Sequence, residues 1–288
     1  MNIAELVKTG KFVVTAEVVP PKGADVGETL ENAETMRGRV DAINVTDQQS
    51  SVMGLGSLAM CRLLKERGIE PVFQITCRDR NRTALQSDLL SAAVLGIENV
   101  LCLTGDYVSM GDDLQAKPVF ELDSVSLLQA ASLLQKGRDL AGNALHGSPK
   151  FCLGAVVAPE ADPVEPQILK MEKKIKAGAR FFQTQAVYDP RAFEKFVKVV
   201  GHFNVPVFVG IVILKSAGMA RFMNRNVAGV RVPESLIMEM DKTEKKAEKG
   251  MEIAARLIRE MRGMCQGVHI RAIGWEKMVP TILDAAGL

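Results

Sequence analysis

The stretch FQITCRDRNRTALQSDLLSAAVLGIENVLCLTGD, residues 73–106, places a helical pattern between two short apolar runs. The first run ends at the charged segment Arg78 to Arg82, and the second ends at Gly105 and Asp106. Two strand-length runs around one helix predict a βα unit followed by the next parallel strand, so both polar clusters fall on the same edge of a sheet. In α/β barrels and open α/β sheets, that edge carries the active site.

Six further apolar runs extend the pattern along the chain, and each of them is followed by a helical pattern. The eight predicted strands begin near Phe12, Asp41, Glu70, Asn99, Lys150, Arg180, Val205 and Gly267. Eight βα units in a chain of 288 residues predict a TIM (β/α)8 barrel, with residues 1–288 as a single domain. A doubly wound sheet is the alternative, because the order of the strands is not visible in the sequence.

The composition is that of an ordinary globular chain, with 47% apolar and 24% charged residues. A net charge of +2 provides no strong field, so we expect a small-molecule ligand and neither nucleic acid nor a membrane as partner. The first residues lack the pattern of a secretory signal, and the longest apolar run, residues 205–214, is about half of the ~20 residues of a membrane span. We therefore expect a cytoplasmic protein in which that run is a buried strand.

The motifs of several other site types are missing or misplaced. The five cysteines are odd in number and form no CxxC pair, which predicts reduced core thiols and no metal centre. The segment GLGSLA, residues 54–59, imitates a dinucleotide fingerprint, but it lies too far beyond the preceding strand, so we interpret it as a helix start. The polar tract DKTEKKAEKG, residues 241–250, is interpreted as the solvated lead-in to a helix that begins at Met251.

Glu17 is the first candidate for chemistry, because it stands in a predicted strand, FVVTAEVVPP, that is otherwise free of charge. A carboxyl group in a barrel mouth loses water, which would raise its pKa toward the range useful for a general acid. The alternative is an ion pair with a basic residue on a neighbouring strand. Its position near a strand end favours the functional interpretation.

Other polar residues at strand ends are weaker candidates. Gly105 permits a close ligand approach beside Asp106, although an Asp after a Gly is also common in turns and helix caps. Amides at the end of the sixth strand suit a heterocycle that has both donors and acceptors. His269 lies near the expected mouth, but packing in the core is the commoner role for such a residue. The remaining candidates are Thr46, Asp47, Gln183, Thr184 and Gln185.

Taken in order, these motifs resemble the methylenetetrahydrofolate reductase family. The first strand ends in acid-x-x-Pro-Pro, the second in NVTD, the third in TCRDRN, the fourth in LTGD and the sixth in TQxxYD. The segments LKSAGMARFMNRNVAGVRVP (214–233) and GVHIRAIGWEKMVPTILDAAGL (267–288) are also similar to its short bacterial members. The resemblance implies a flavin-containing TIM barrel that reduces 5,10-methylenetetrahydrofolate to 5-methyltetrahydrofolate, in one-carbon metabolism and methionine biosynthesis.

The resemblance also implies roles for individual residues. Glu17 would be the general acid that helps to open the folate ring, Asp106 would hold the pterin near the flavin, and Gln185 would hydrogen-bond both. FAD is the implied cofactor, with FMN as the alternative. Electrons would come from NADH or NADPH or from a partner subunit, and the protein would be a homo-oligomer or hetero-oligomer. The implied cofactor-binding residues are Thr46, Gln74, Leu103, Thr104, Gly105, Asp106, Lys174 and Gln185.

The chain departs from the family pattern at several positions, and at two of them Gln74 and Thr104 stand where many members have a His and an Arg. The absence of that His and that Arg changes the contacts to the cofactor, which leaves the choice between FAD and FMN open. Two other functions also stay open: a flavin-free pterin-binding TIM-barrel methyltransferase and a non-catalytic subunit of a one-carbon complex. Flavin content separates the methyltransferase from the reductase, and the presence of Glu17, Asp106 and Gln185 weakens the case for a subunit without activity.

Overall fold

Eight parallel strands close into a barrel in the computed structural model, which describes residues 2–288. The strands are β1 (Val13–Val18), β2 (Ala42–Val45), β3 (Pro71–Thr76), β4 (Asn99–Leu103), β5 (Cys152–Val157), β6 (Phe181–Ala186), β7 (Val207–Val212) and β8 (Gly267–Arg271). Each strand pairs with its neighbours in chain order, and β8 pairs with β1 to close the barrel. The predicted TIM barrel is confirmed, and the doubly wound alternative is wrong.

Helices follow the strands and cover the outside of the barrel. They are α1 (Ile3–Lys8), α2 (Gly27–Met36), α3 (Ser57–Glu66), α4 (Arg82–Val94), α5 (Ser124–Gln135), α6 (Glu165–Ala177), α7 (Pro190–Val200), α8 (Ala217–Asn226), α9 (Glu234–Lys242), α10 (Lys246–Met261) and α11 (Val279–Ala286). The segment GLGSLA contains the start of α3, as predicted. The tract 241–250 is instead a junction of two helices, because Thr243 adopts an extended backbone between α9 and α10.

The stretch of residues 73–106 forms most of β3 and all of α4 and β4, as its pattern predicts. The side chain of Asn81 accepts a hydrogen bond from the backbone N–H of Ala84 and so caps the first turn of α4. Leu85 and Leu89 lie on the face of the helix that packs against the barrel, and both are fully buried. This capped, amphipathic helix brings the end of β4 back beside the end of β3.

Apolar side chains fill the interior of the barrel at the amino ends of the strands. Alternate residues of a strand point to the same side, and Val13, Phe181 and Phe208 form a fully buried cluster there with Ile3 of α1. The rings of Phe181 and Phe208 stack with their centroids 5.6 Å apart. A Cβ at Gly154 would lie 2.3 Å from the Phe181 ring, so only glycine fits at this position of β5. This apolar cluster closes the end of the barrel at which the strands begin.

A layer of hydrogen-bonded polar side chains lies next along the barrel. Asn44 and Gln183 exchange amide hydrogen bonds of 2.8 and 3.1 Å, and Gln183 also donates to Oγ1 of Thr15 at 3.2 Å. The same Oγ1 lies 3.0 Å from Nδ1 of His269. Because buried polar groups are costly unless they are paired, this network holds four side chains from β1, β2, β6 and β8 in one arrangement.

The longest apolar run of the sequence forms β7, and every residue of that strand is buried. The prediction of a buried strand for this run is confirmed. Within residues 2–288, no helix has the length and apolar character that crossing a membrane requires.

All five cysteines are buried and none forms a disulfide. Burial raises the pKa of the thiol of Cys77 to about 12, with the charge of Asp123 acting in the same direction. Burial likewise raises the pKa of Cys102, with a smaller contribution from Cys77. Thiols in such surroundings stay protonated and unreactive, which confirms the prediction of core thiols.

Candidate active site

The carboxyl ends of the strands surround a cavity of about 380 Å³, a size typical of small-molecule sites. Every residue predicted to act in catalysis or cofactor binding lies in its wall. These residues are Glu17, Thr46, Gln74, Leu103, Thr104, Gly105, Asp106, Lys174 and Gln185. Among the weaker candidates, Asp47 also lines the cavity, whereas Gln183, Thr184 and His269 lie outside its wall.

Glu17 lies on the inner side of β1 near its carboxyl end, with only 7% of its surface exposed. Its Oε2 accepts a hydrogen bond of 3.2 Å from Nε2 of Gln74 and lies 3.6 Å from Nε2 of His269. Burial raises the pKa of Glu17, but His269, the charge of Arg271 and Gln74 outweigh it and hold the pKa below 4.5. The expected rise in pKa is therefore wrong, because three neighbours distant in sequence stabilise the carboxylate.

His269 is the basic neighbour of Glu17, and it is buried beneath the cavity with 1% of its surface exposed. Burial lowers the pKa of His269, with the charge of Arg271 acting in the same direction against the raising effect of Glu17. A neutral imidazole has one N–H. Because a carboxylate only accepts hydrogen bonds, the nearby charge of Glu17 favours the tautomer with this N–H on Nε2, and Nδ1 then lies 3.0 Å from Oγ1 of Thr15.

Gln185 and Arg271 form a polar pair at the ends of β6 and β8. Nη1 of Arg271 donates to Oε1 of Gln185 at 2.9 Å, and Nη2 donates to the backbone oxygen of Thr184 at 3.3 Å. Arg271 lines the cavity with Gln185 and Glu17. Arg271 was not among the residues predicted from the sequence, although its position two residues beyond His269 predicts that both side chains face the interior of the barrel.

Thr46 and Asp47 are adjacent at the end of β2 but differ in their partners. Asp47 accepts hydrogen bonds from the backbone and hydroxyl of Thr76 and forms an ion pair with Arg80. In contrast, Oγ1 of Thr46 is buried in the cavity wall and has no hydrogen-bond partner among residues 2–288. A buried hydroxyl without a partner is costly, so Thr46 is suited to bind a polar group of a ligand, whereas Asp47 stabilises the loops.

Asp106 lies on the exposed rim of the cavity, where Oδ2 accepts a hydrogen bond of 3.0 Å from the backbone N–H of Ser50. The preceding Gly105 has a φ of +98°, and a Cβ there would lie 3.0 Å from Cβ of Arg78. The buried guanidinium of Arg78 donates to the backbone oxygens of Asp106 and Gln48. Arg78 thereby joins the loops after β2 and β4 and fixes the position of the Asp106 carboxylate.

The part of the cavity wall formed by α5 and α6 carries positive charge. Lys174 on α6 is 4% exposed, and its Nζ donates to the backbone oxygen of Val156 at 2.6 Å. Burial, together with the charge of Lys170, lowers the pKa of Lys174 to about 8. Lys170 and Ser124, the first residue of α5, line the same wall. The N–H groups at the start of α5 are already capped by Thr104 and Asp123, so the two ammonium groups are the part of this wall that can hold an anionic group.

Solved structures support the fold over almost the whole chain. A protein of Clostridium thermocellum, described as uncharacterized and as binding two copies of 5-methyl-5,6,7,8-tetrahydrofolic acid, matches with a TM-score of 0.69 and 18% identity, covering 98% of this chain and 97% of that one. A 2,3-dimethylmalate lyase matches with a TM-score of 0.54 and 9% identity, over 99% and 86% of the two chains. Because such different proteins share this barrel, these likenesses show the fold alone.

Curated relatives share sequence over most of the chain. Methylenetetrahydrofolate reductase 2 of Schizosaccharomyces pombe is 26% identical, over 100% of this chain and 47% of its own length. The 5,10-methylenetetrahydrofolate reductase of Pectobacterium carotovorum subsp. carotovorum is 25% identical, over 90% and 83% of the two chains. That of Salmonella typhimurium is 24% identical, over 88% and 81%. The chain thus spans about half the length of the fission yeast relative and most of the bacterial ones.

The family model for methylenetetrahydrofolate reductase matches residues 2–287. The match includes all eight strands and every residue in the cavity wall. The chain therefore belongs to the methylenetetrahydrofolate reductase family.

Proposed function

We propose that this protein catalyses the flavin-dependent reduction of 5,10-methylenetetrahydrofolate to 5-methyltetrahydrofolate. The observation that carries the proposal is the convergence of Glu17, Asp106 and Gln185 on one cavity. These are the residues to which the family resemblance gives catalytic roles. The names of the bacterial relatives and the folate ligand of the Clostridium thermocellum protein support the same substrate class.

The cavity offers complementary groups to a pterin ring. A pterin presents an amino group and ring N–H groups as donors, and a carbonyl oxygen and ring nitrogens as acceptors. The exposed carboxylate of Asp106 can accept hydrogen bonds from the donors. Gln185 supplies N–H groups for the acceptors from the other side of the cavity. We therefore place the pterin between Asp106 and Gln185.

The remaining polar groups of the cavity fit a flavin nucleotide, with FAD as the primary candidate and FMN as the alternative. The hydroxyl of Thr46 lacks a partner among the described residues, so it is available to a polar atom of the flavin. Lys170 and Lys174 would hold the flavin phosphate. A bound flavin supplies the hydride that reduces the folate. The protein orients the substrate and donates the proton.

Glu17 is the group in the cavity that would handle that proton. Its carboxylate is ionised in the ligand-free protein at neutral pH, because its pKa lies below 4.5. A pterin that covers the mouth would remove the remaining water from Glu17 and raise its pKa. The carboxyl group would then be protonated in the complex and would donate this proton to the departing ring nitrogen as the carbon–nitrogen bond breaks.

Product analysis tests the proposal directly. The protein is incubated without oxygen with FAD or FMN, 5,10-methylenetetrahydrofolate and NADH, NADPH or a reduced dye, and 5-methyltetrahydrofolate is measured by mass spectrometry. We expect product only when flavin is present, and we expect Glu17→Gln to lose about 100-fold or more in rate. The control is Glu98→Gln, an exposed residue just before β4 at the opposite end of the barrel.

The same experiment separates the alternatives. A protein that binds neither FAD nor FMN yet binds 5-methyltetrahydrofolate would contradict the reductase and favour the flavin-free methyltransferase. A protein that binds flavin and folate but forms no product with any electron source, the reduced dye included, would contradict the reductase and favour a non-catalytic subunit. Activity with the dye and not with NADH or NADPH would support the reductase and assign electron delivery to a partner subunit.

A further inference from the structure

Arg271 reaches across the barrel mouth from the end of β8 to the end of β6. It donates to the side-chain oxygen of Gln185 and to the backbone oxygen of Thr184, at 2.9 and 3.3 Å. These two acceptors lie in a register irregularity of β6, between Gln183 and Ala186. Such irregularities expose backbone groups and redirect side chains beside active sites. Arg271 thus pairs with both the side chain and the backbone of the irregular segment.

The chemistry of the guanidinium decides which way the Gln185 amide faces. An amide side chain has a carbonyl oxygen that accepts and an NH₂ group that donates, and the two ends are similar in shape. A guanidinium only donates, so Oε1 must face Arg271. The NH₂ group then points away from Arg271, and it has no hydrogen-bond partner among residues 2–288. Because Gln185 lines the cavity, these two N–H groups are available to a ligand.

We propose that Arg271 is a positioning residue that holds the Gln185 amide with its N–H groups toward the cavity, so that the ligand atom facing Gln185 must be a hydrogen-bond acceptor. A ring carbonyl oxygen or an unprotonated ring nitrogen meets this requirement. The identity of the ligand rests on the proposed function, but the orientation of the amide does not. Arg271 itself acts through Gln185, and its loss would leave the amide free to rotate.

A double-mutant cycle measures this dependence. The dissociation constant of 5-methyltetrahydrofolate is determined for Arg271→Met, Gln185→Ala, the double variant and the protein with both residues intact, with circular dichroism to confirm folding. All four carry Glu17→Gln, because the charge of Arg271 also lowers the pKa of Glu17 and would otherwise affect binding through that carboxyl group. We expect each single variant to weaken binding by about fivefold to tenfold and the double variant to bind like Gln185→Ala alone. Losses that multiply in the double variant would show that Arg271 acts independently of Gln185 and would overturn the proposal.

Two further variants sharpen the result. Gln185→Glu keeps the size of the side chain and an acceptor for Arg271 but removes both N–H donors, so it should bind no better than Gln185→Ala; wild-type affinity would refute the requirement for an acceptor on the ligand. Arg180→Met is the control, because Arg180 is exposed and directly precedes β6 at its other end. It should bind like the wild type, and a loss equal to that of Arg271→Met would contradict a specific role for Arg271.

Nuclear magnetic resonance of the ligand-free protein tests the orientation even if the proposed function fails. The side-chain NH₂ signals of Gln185 are identified by their loss in Gln185→Glu. We expect these signals to report a rigid amide in the wild type and in Arg180→Met, and a mobile one in Arg271→Met. An amide that is equally mobile in the wild type and in Arg271→Met would overturn the proposal without reference to any ligand.

Discussion

Nε2 of His269 lies 3.6 Å from Oε2 of Glu17, and both side chains are almost completely buried. The distance is longer than a hydrogen bond, so a small movement of either side chain is needed for a proton to pass between them. At neutral pH the pair consists of a carboxylate and a neutral imidazole, since the pKa values of both groups are lowered. Thr15 holds the far side of the imidazole and orients Nε2 toward Glu17.

Replacing His269 by Leu should raise the pKa of Glu17. Burial raises this pKa, and His269 is one of the groups that lower it. The protonated, acid-competent form of Glu17 would then persist to higher pH. We expect the midpoint at which folate turnover falls with rising pH to move upward. The control is His202→Leu, at an exposed histidine. A midpoint that stays in place or moves downward in His269→Leu would contradict this account of the pair.

Folate binding should be accompanied by proton uptake. Glu17 is ionised in the ligand-free protein, and covering it by a ligand raises its pKa. Calorimetric titration of 5-methyltetrahydrofolate in buffers of different ionisation enthalpy should show uptake of a fraction of a proton, up to about one, near pH 6.5. Glu98→Gln should show the same uptake and Glu17→Gln should show none. Equal uptake in Glu17→Gln would assign the proton to another group.

Glu160 should make the stability of the fold depend on pH. Burial raises its pKa to about 7, and Oε2 is buried without a hydrogen-bond partner among the described residues. Because the folded state favours the protonated form, stability is lost as pH rises from the ordinary pKa of 4.5 through about 7. Glu160→Gln removes this loss. Since Glu160 is partly exposed, we expect a gain of about 1–2 kcal/mol near pH 8 and little change near pH 5.

Urea unfolding at the two pH values measures this effect on the free energy of unfolding. Glu98→Gln, at an exposed position, is the control and should show no pH-dependent gain. A Glu160→Gln variant with the same difference from the wild type at both pH values would exclude titration of this carboxyl group as the cause.

Glycine at position 105 should be needed both for the left-handed backbone there and for folate binding. Its φ is +98°, and an added Cβ would press on Arg78 and Thr76, whereas Gly96, with a φ of +75°, has no atom within 4 Å of an added Cβ. Alanine at either position should cost about 1–2 kcal/mol for the left-handed backbone. Only Gly105→Ala should also weaken folate binding, because it displaces the loop that carries Asp106. Equal affinities in the two variants would place this loop outside the site.

The sequence predicted the barrel because each βα unit carries its own local pattern. The eight strands begin within two residues of the predicted positions, since apolar runs and capping residues such as Asn81 act over short distances. The start of α10 at Lys246 was missed, because residues 241–250 are mostly polar and polar residues do not distinguish a helix from a break between helices.

The candidate site was predicted because parallel strands bring their carboxyl ends together, and the resemblance to a family named the residues there. What the sequence could not give depends on pairs distant in the chain. Arg271 meets Gln185 across 86 positions, and the pKa of Glu17 depends on His269, Arg271 and Gln74. The sign of that pKa shift is set by these contacts, which only the closed barrel creates.

A single-turnover experiment follows hydride transfer from the flavin to the folate and the part that Glu17 plays in it. The protein is loaded with FAD or FMN, reduced without oxygen, and mixed rapidly with 5,10-methylenetetrahydrofolate while the visible flavin band is followed. We predict that the band returns as the flavin is reoxidised, and that Glu17→Gln is reduced normally but reoxidised at least about 100-fold more slowly. A wild-type flavin that stays reduced, or a Glu17→Gln variant that is reoxidised as fast as the wild type, would contradict the account.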